Sequence, residues 1–499
     1  MIFFGLDVGS SGCKCVAFSE DGIQLASRYS EYPSAAGQSD MDPCTMFEAI
    51  CSVITGCAAD KTVTPGEVAA ITVTSFGESF VPVDKNGKEL ADIVMYTDAR
   101  GVAETAELIS KVGDDNIRRI TCNLPDSMYS LPKIMWTLRN RPQVADKVWK
   151  FLLIADYAAF KLSGEAKINY SLACRAMALD LANRCWSPEM LSGAGIISDM
   201  LSEPVPDGTI VGNLLPDIAE KLGLHTGVKV LVGSHDQISA AIGSGVINAG
   251  QAVDGTGTVE CITPVFEGIR NSREFTDCNF SCLPHPHKNL YVTYAFNFSG
   301  GALLKWYRDC LAAHLKPEAE KLGVSVYRML DDTCPVEPTQ VFVIPHFMGA
   351  GGTPDMVKTA TGTISGLTMK TALPDIYRGA LEGLTFEMKY NLEKLAECGI
   401  KVDRLCATGG GARSPIWLRI KSDILGLPIV RVKSDEAGAC ACAMHGAVAM
   451  GVYSDLAEAA AKFVSYTDTY EPETTYKALY NEKYARFREA RRNMLELYK

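Results

Sequence analysis

The sequence has no apolar stretch approaching the roughly 20 residues that a membrane helix needs, so it gives no sign of a membrane span. It has no Cys-x-x-Cys pair, no Gly-x-x-x-x-Gly-Lys-[Ser/Thr] loop and no strand–Gly-x-Gly-x-x-Gly–helix pattern. These absences argue against a paired-cysteine metal or redox site, a Walker-type nucleotide site and a dinucleotide-binding fold. Basic residues are outnumbered, 48 Lys+Arg against 59 Asp+Glu, for a net charge of −11. That balance disfavours nucleic acid or a membrane surface as partner and leaves room for a local anion site. No basic leader precedes the first strand, and the chain reads as soluble and cytoplasmic. Nor is there a low-complexity segment or a long flexible linker.

What is present is an ordinary globular composition, 47% hydrophobic and 21% charged, over 499 residues, long enough for two domains that each bury a core. The 17 cysteines are scattered, odd in number and often in apolar runs, which fits buried thiols in a reducing compartment. His285 and His287 in "PHPHK" lack a nearby third ligand, so a polar loop is the better reading than a metal site.

Short β-rich runs alternate with helical patterns, the signature of an α/β protein. "MIFFGLDV", "CKCVAFS", "VAAITVTS", "SFVPVD" and "VKVLVGS" read as strands; "PCTMFEAICSVITGCAAD", "SLPKIMWTLRN" and "HDQISAAIGSGV" carry helical spacing. The second half continues with strands at "GQAVDGTGTVECIT", "QVFVIPHF", "RLCATGG" and "PIVRV". Its helices include "LPDIYRGALEGLTFEMKYNLEKLAECG" and "YKALYNEKYARFREARRNMLELY". One pattern occurs twice. "LDVGSSGCKCVAF" and "VDGTGTVECIT" each read strand, Asp, small residues with Gly, strand, consistent either with two unrelated turns or with two similar lobes facing a cleft.

Several stretches could carry chemistry. A Gly/Ser turn between strands, Gly9-Ser10-Ser11, offers backbone N–H groups and hydroxyls to phosphate oxygens; Lys14 adds charge, and Asp7 could support Mg²⁺. "CATGGGARSP" runs a strand into Gly409, Gly410 and Gly411 and then a helix starting at Ser414, either a tight turn or a seat for a flat ligand. Asp236 lies between a buried strand and an Ala-rich helix, where it could cap the helix or accept a proton from an attacking hydroxyl. His235 beside it is expected to point away. Glu78 with Asp98 and Arg100 forms either solvated turns or a hydroxyl-binding pocket.

Together these elements resemble the FGGY carbohydrate kinases over essentially the whole chain. "DVGSSGCK" is similar to the family's first phosphate motif, with Gly12 in place of the common Ser. "SLPKIMWTLRN" matches the first family signature at Lys133 and Trp136, with Thr137 in place of an aliphatic residue. "GTISGLTMKTALPDIYRGALEG" matches the second at Asp375, Leu381, Glu382 and Gly383, with Gly379 in place of Ala or Ser. The resemblance implies two actin-like (ribonuclease H-like) α/β lobes of the hexokinase/actin/heat-shock ATPase superfamily. A sugar-binding lobe would cover residues 1–246 and an ATP-binding lobe residues 247–499. It implies ATP and Mg²⁺ as cofactors, with Asp236 as proton acceptor. Asp7 and Asp236 would lie toward the metal, and Gly9, Ser10, Ser11, Lys14, Gly257, Thr258, Gly301, Gly409, Gly410, Gly411 and Ser414 toward the nucleotide. Gly77, Glu78, Asp98, Arg100, Asp236 and Gln237 would face a small sugar. "SFGES" lacks the Met-His-Gly element of xylulose kinases; Glu78 and Gln237 resemble glycerol kinases, but Gly77 replaces their Arg and Met128 their Tyr; Phe76-Gly77 resembles fuculose-type kinases. A ketose or polyol fits, a pentulose best, and a homodimer is left open as the assembly.

Overall fold

The computed structural model describes residues 1–33, 40–287 and 289–498. In the first half, strands β1 (Ile2–Val8), β2 (Gly12–Ser19), β3 (Gln24–Glu31), β4 (Val68–Ser75), β5 (Thr209–Asn213) and β6 (Lys229–His235) form one sheet in the order β5-β6-β4-β1-β2-β3. β1 is buried at nearly every position, so its apolar residues do not alternate with polar ones. A strand covered on both faces reads this way. Helices α1 (Pro43–Ala58), α2 (Ile154–Ser163) and α3 (Asp236–Gly243) pack on this sheet. Asp42 caps α1, accepting the backbone N–H of Thr45 at 2.9 Å ahead of Pro43.

The second half repeats the plan. Strands β7 (Gln251–Thr256), β8 (Glu260–Glu267), β9 (Leu290–Val292), β10 (Ala295–Asn297), β11 (Arg404–Thr408), β12 (Ile429–Val432) and β13 (Tyr466–Tyr470) lie in the order β13-β12-β11-β7-β8-β9, with β10 also on β8. In each half the first strand pairs antiparallel with the second across a glycine turn and parallel with a later strand: β1 with β2 and β4, β7 with β8 and β11. The outer pairings match as well, parallel for β4–β6 and β11–β12, antiparallel for β6–β5 and β12–β13. The repeated Asp/Gly pattern therefore marks a duplicated sheet.

The long α5 (Leu373–Glu397) and α6 (Pro415–Leu425) pack on the second sheet, and α4 (Gly300–Trp306) and the C-terminal α8 (Lys477–Glu496) pack on α5 in turn. Asp375 holds the start of α5 by accepting the Ala372 N–H at 2.9 Å. Helix α7 (Ala437–Ala449) is different, because it comes from the second half yet packs on β1, β4 and α3 of the first. α3 follows β6 and α7 follows β12, so they are counterparts in the duplication, and they cross each other. Small residues set the crossing. A Cβ at Gly243 would lie 1.8 Å from the Ala437 carbonyl oxygen, and one at Gly5 would lie 2.1 Å from that of Ala439. No helix among the described residues is long and apolar enough to cross a membrane. All 17 cysteines are free thiols, most of them buried.

Candidate active site between the two glycine hairpins

The first hairpin turns through Gly9, Ser10 and Ser11, closed by the Gly9 N–H donating to the Gly12 carbonyl at 2.9 Å. Asp7 lies at the end of β1, opposite Lys14 in the antiparallel register. Lys14 is not a free cation: its Nζ is 2.8 Å from a carboxylate oxygen of Glu436, just ahead of α7. Asp7 accepts no hydrogen bond from the described residues, and burial pushes its carboxyl up to about 6, with Lys14 pulling it down and Glu436 adding to the rise. Gly438 lets the start of α7 approach; a Cβ there would be 2.9 Å from Asp7 Oδ2.

The second hairpin turns through Gly257 and Thr258, with the Gly257 N–H donating to Val259 at 2.9 Å. Helix α4 begins against it. The N–H groups of Gly301 and Ala302 donate to the carbonyls of Gly257 and Thr258 at 2.8 and 2.9 Å, and a Cβ on Gly301 would sit 2.3 Å from the Gly257 oxygen. The glycine-rich turn lies on the other side, because β7 and β11 are paired neighbours. Gly409, at φ 80°, approaches Thr256 so closely that a Cβ would meet its carbonyl at 2.6 Å, and Gly411 is packed against the Thr256 side chain. Ser414 caps α6, its Oγ accepting the Trp417 N–H at 3.2 Å. The expected nucleotide-facing residues thus lie on two hairpins, on one adjoining turn and, for Gly301, at the start of α4.

Asp236 begins α3, directly after His235 at the end of β6. Its Oδ1 accepts the Gln237 N–H at 2.6 Å. Burial, with the Asp7 charge next, pushes its carboxyl up to about 8. Contrary to expectation, His235 does not point away. Its Nε2 lies 3.2 Å from Asp236 Oδ1, because the strand-to-helix turn swings both side chains toward the same space. Burial and the neighbouring Arg175 hold the His235 imidazole well below its ordinary range.

Glu78 is buried and adopts φ 65°, a left-handed backbone unusual for a residue with a side chain. Ser130 Oγ holds that turn by donating to the Glu78 carbonyl at 2.8 Å, and the Glu78 carboxylate is ion-paired with Arg175. Gly77 must be small, since a Cβ there would come 2.9 Å from Arg175 Cγ and 3.3 Å from His235 Cδ2. The Arg175 guanidinium also stacks over Tyr129, 5.0 Å from its ring centre. Tyr96 joins the groups: burial raises its hydroxyl, the charges of Glu78 and Asp236 add to that, and Ser10 hydrogen-bonds it. Asp98 and Arg100 form a separate cluster, with Arg100 Nε 2.6 Å from Asp98, a second ion pair to Asp40, and the guanidinium over Trp136. Lys133 connects the two, buried and lowered to about 8 by desolvation, with Asp98, Asp126 and Glu78 opposing that fall.

Among the described residues no group of three or more His, Cys, Asp and Glu side chains is placed to hold a metal ion. Asp7 and Asp236 alone would suit a cation that keeps water and takes phosphate oxygens, as Mg²⁺ does. Arg175 was not singled out from the sequence, although a lone Arg in the apolar run "SLACRAMAL" must find a buried partner.

The N-terminal domain model of the FGGY family of carbohydrate kinases matches residues 2–243, and its C-terminal domain model matches residues 274–450. The chain belongs to this family. The kinase is 27% identical to an autoinducer-2 kinase of Yersinia enterocolitica, over 95% of this chain and 91% of that protein. It is 25% identical to a xylulose kinase of Bacillus subtilis, over 96% and 95%. In structure it is similar to a ligand-bound xylulose kinase from Lactobacillus acidophilus, with TM-score 0.88 and 22% identity over 100% and 99% of the two chains. The enzyme is a carbohydrate phosphotransferase with the two-domain, actin-like α/β fold, as the resemblance implied.

Proposed function

We propose that this kinase transfers the terminal phosphoryl group of ATP to a terminal hydroxyl of a small ketose, with a xylulose-like pentulose as the acceptor. The observation that carries this reading is Asp236. A part-buried carboxylate directly after a strand end, raised to about 8, lies beside the Glu78–Arg175 ion pair and feels the charge of Asp7. A carboxylate destabilised by burial gains from accepting a proton, which suits a general base in phosphoryl transfer.

The sugar lies mainly on the lobe of residues 1–246, with Glu78, Asp98, Arg100, Gln237 and the Gly77 turn around it. ATP lies mainly on residues 247–499, against Gly257, Thr258, Gly301, Gly409, Gly410, Gly411 and Ser414. The Gly9–Ser11 hairpin meets the phosphates from the opposite side, and Asp7 with Asp236 holds Mg²⁺, which neutralises phosphate charge when bound. Asp236 orients the hydroxyl and takes its proton. The pairing of Glu78 with Arg175 favours an uncharged polyhydroxylated acceptor, because neither charge is left over. The relative named xylulose kinase supports a pentulose as the acceptor.

The test is ADP release from ATP and Mg²⁺ with D-xylulose, L-xylulose, L-ribulose, L-fuculose, erythritol and glycerol, each alone. A pentulose should give the highest kcat/KM, and Asp236→Ala should abolish sugar-dependent ADP formation while ATP binding survives. Best turnover on a polyol overturns the acceptor class; substantial turnover by Asp236→Ala overturns the base.

A further inference from the structure

Tyr294 belongs to the second half of the chain, in the segment between β9 and β10, yet its side chain reaches the first half's Asp236 turn. Its hydroxyl lies 2.8 Å from His235 Nδ1, and the two rings are 5.7 Å apart at their centres. Its ring also lies against the Arg175 guanidinium at 5.9 Å, which Tyr129 contacts at 5.0 Å. The other nitrogen of His235 faces the Asp236 carboxylate, and the His235 backbone N–H is held by Ser171 Oγ at 2.8 Å.

The chemistry fixes the direction of this chain. In its proton-accepting form Asp236 is ionised and can only accept, so the ring proton then stands on Nε2; Nδ1 accepts, and Tyr294 O–H donates to it. Oδ1 of Asp236 accepts the Gln237 N–H and has His235 Nε2 in contact at 3.2 Å, which leaves Oδ2 for the acceptor hydroxyl. At 3.2 Å the Nε2–Oδ1 contact is looser than the Tyr294–His235 bond, as catalytic contacts are before substrate tightens them.

We infer that Tyr294 and His235 are positioning residues that present the free oxygen of Asp236 to the acceptor hydroxyl, and that the base is correctly aimed only while the second half supplies Tyr294. The inference rests on the reading of Asp236 as the base. It links the relative placement of the two halves to the proton-accepting step, so an enzyme whose halves are apart would bind ATP with its base unaligned.

The test compares Tyr294→Phe, His235→Gln, His235→Leu, the Tyr294→Phe/His235→Leu double variant and Asp236→Asn. Steady-state kinetics, ADP titration calorimetry and thermal melts are read on each. Tyr294→Phe removes one hydroxyl and should lower kcat about 10-fold, the scale of a misaimed catalytic group, with the KM for sugar and the Kd for ADP within about twofold. His235→Gln keeps an N–H donor and should retain more activity than His235→Leu. Tyr294→Phe should cost nothing further in the His235→Leu background, because the hydroxyl acts through the imidazole. If His235→Leu does not fold, the His235→Gln background replaces it in the cycle. A kcat for Tyr294→Phe equal to wild type, a loss confined to KM, or additive losses in the double variant each overturn the inference. Turnover by Asp236→Asn overturns the base assignment itself, and the inference with it; a dead Asp236→Asn beside a fully active Tyr294→Phe sinks only the positioning role.

Discussion

Asp7 and Asp254 stand at corresponding places in the duplicated sheet, each on the strand that enters a glycine hairpin, and their surroundings are opposite. Asp254 is fully enclosed: Lys421 Nζ lies 2.5 Å from its Oδ2, the Thr256 hydroxyl donates to Oδ1 at 3.1 Å, and the same lysine reaches Glu260 at 2.7 Å. Asp7 has no hydrogen bond from the described residues, and its one nearby cation, Lys14, is taken by Glu436. One carboxylate is a tie within a lobe, bracing the second hairpin against α6. The other is left facing the cleft with its charge uncompensated. Repetition of a motif therefore does not repeat its role; what decides the role is whether the fold supplies a buried counter-charge.

The sharpest way to break this contrast is at the lysine. Lys421→Met strands Asp254 and Glu260 together in the interior, and breaking a buried pair in this way costs about 3–5 kcal/mol. Denaturant melts should show that loss, with partial recovery when Glu260→Gln is added, since burial already pushes Glu260 up to about 7 against the pull of Lys421. Unchanged stability in Lys421→Met would mean that the triad is not a structural tie. The reverse result is expected at the first hairpin. Asp7→Asn should lower sugar-dependent ADP formation about 100-fold, on the scale of losing one transition-state electrostatic partner, while the melting temperature stays level or rises. Asp254→Asn should lower the melting temperature and spare much of the activity of the molecules that remain folded. If both variants lose activity equally with stability intact, the two carboxylates share a role and the contrast fails.

The parts of this arrangement legible in the sequence are those with a local signature. Strands such as Ile2–Val8 and Lys229–His235 are short apolar runs bounded by Gly and Asp, and helices such as Ser130–Asn140 and Lys477–Glu496 carry a 3.6-residue period. Helix α7 carries no such signal. "AGACACAMHGAVA" is buried almost all round, so it has no polar face to set a period. Arg175, Tyr294 and Lys421 escaped notice for another reason: their importance lies in partners 97, 59 and 167 residues away, Glu78, His235 and Asp254. The orientation of His235 was misjudged because alternation along a strand does not carry through the turn into α3.

A smaller effect separates the hairpins by their packing. Gly301→Ala would force a methyl against the Gly257 carbonyl, where 2.3 Å is available, and overpacking of this kind costs about 1–3 kcal/mol. At the first hairpin a Cβ on Gly9 meets nothing nearer than the Gly12 oxygen at 3.1 Å, so Gly9→Ala should disturb stability less. Thermal melts of the two variants rank them directly; equal losses would show that both turns are equally braced.

The smallest expected effect is a slope with pH. Asp7 and Asp236 are raised from 3.8 to about 6 and about 8, so the folded protein binds their protons more tightly than the unfolded chain does. Stability from these groups is fully present below about 4 and is lost progressively above that, completely by about 6 for Asp7 and by about 8 for Asp236. The melting temperature of the enzyme without nucleotide or Mg²⁺ should therefore decline from about pH 4 to about pH 8, with Asp7→Asn removing its share of the slope below about 6 and Asp236→Asn its share up to about 8. Mg²⁺ with ATP should remove the slope as well, since a cation held by Asp7 and Asp236 would favour their charged forms. A profile that is flat without ligand, or unaltered by Asp236→Asn, would place the uncompensated charge elsewhere than at the cleft.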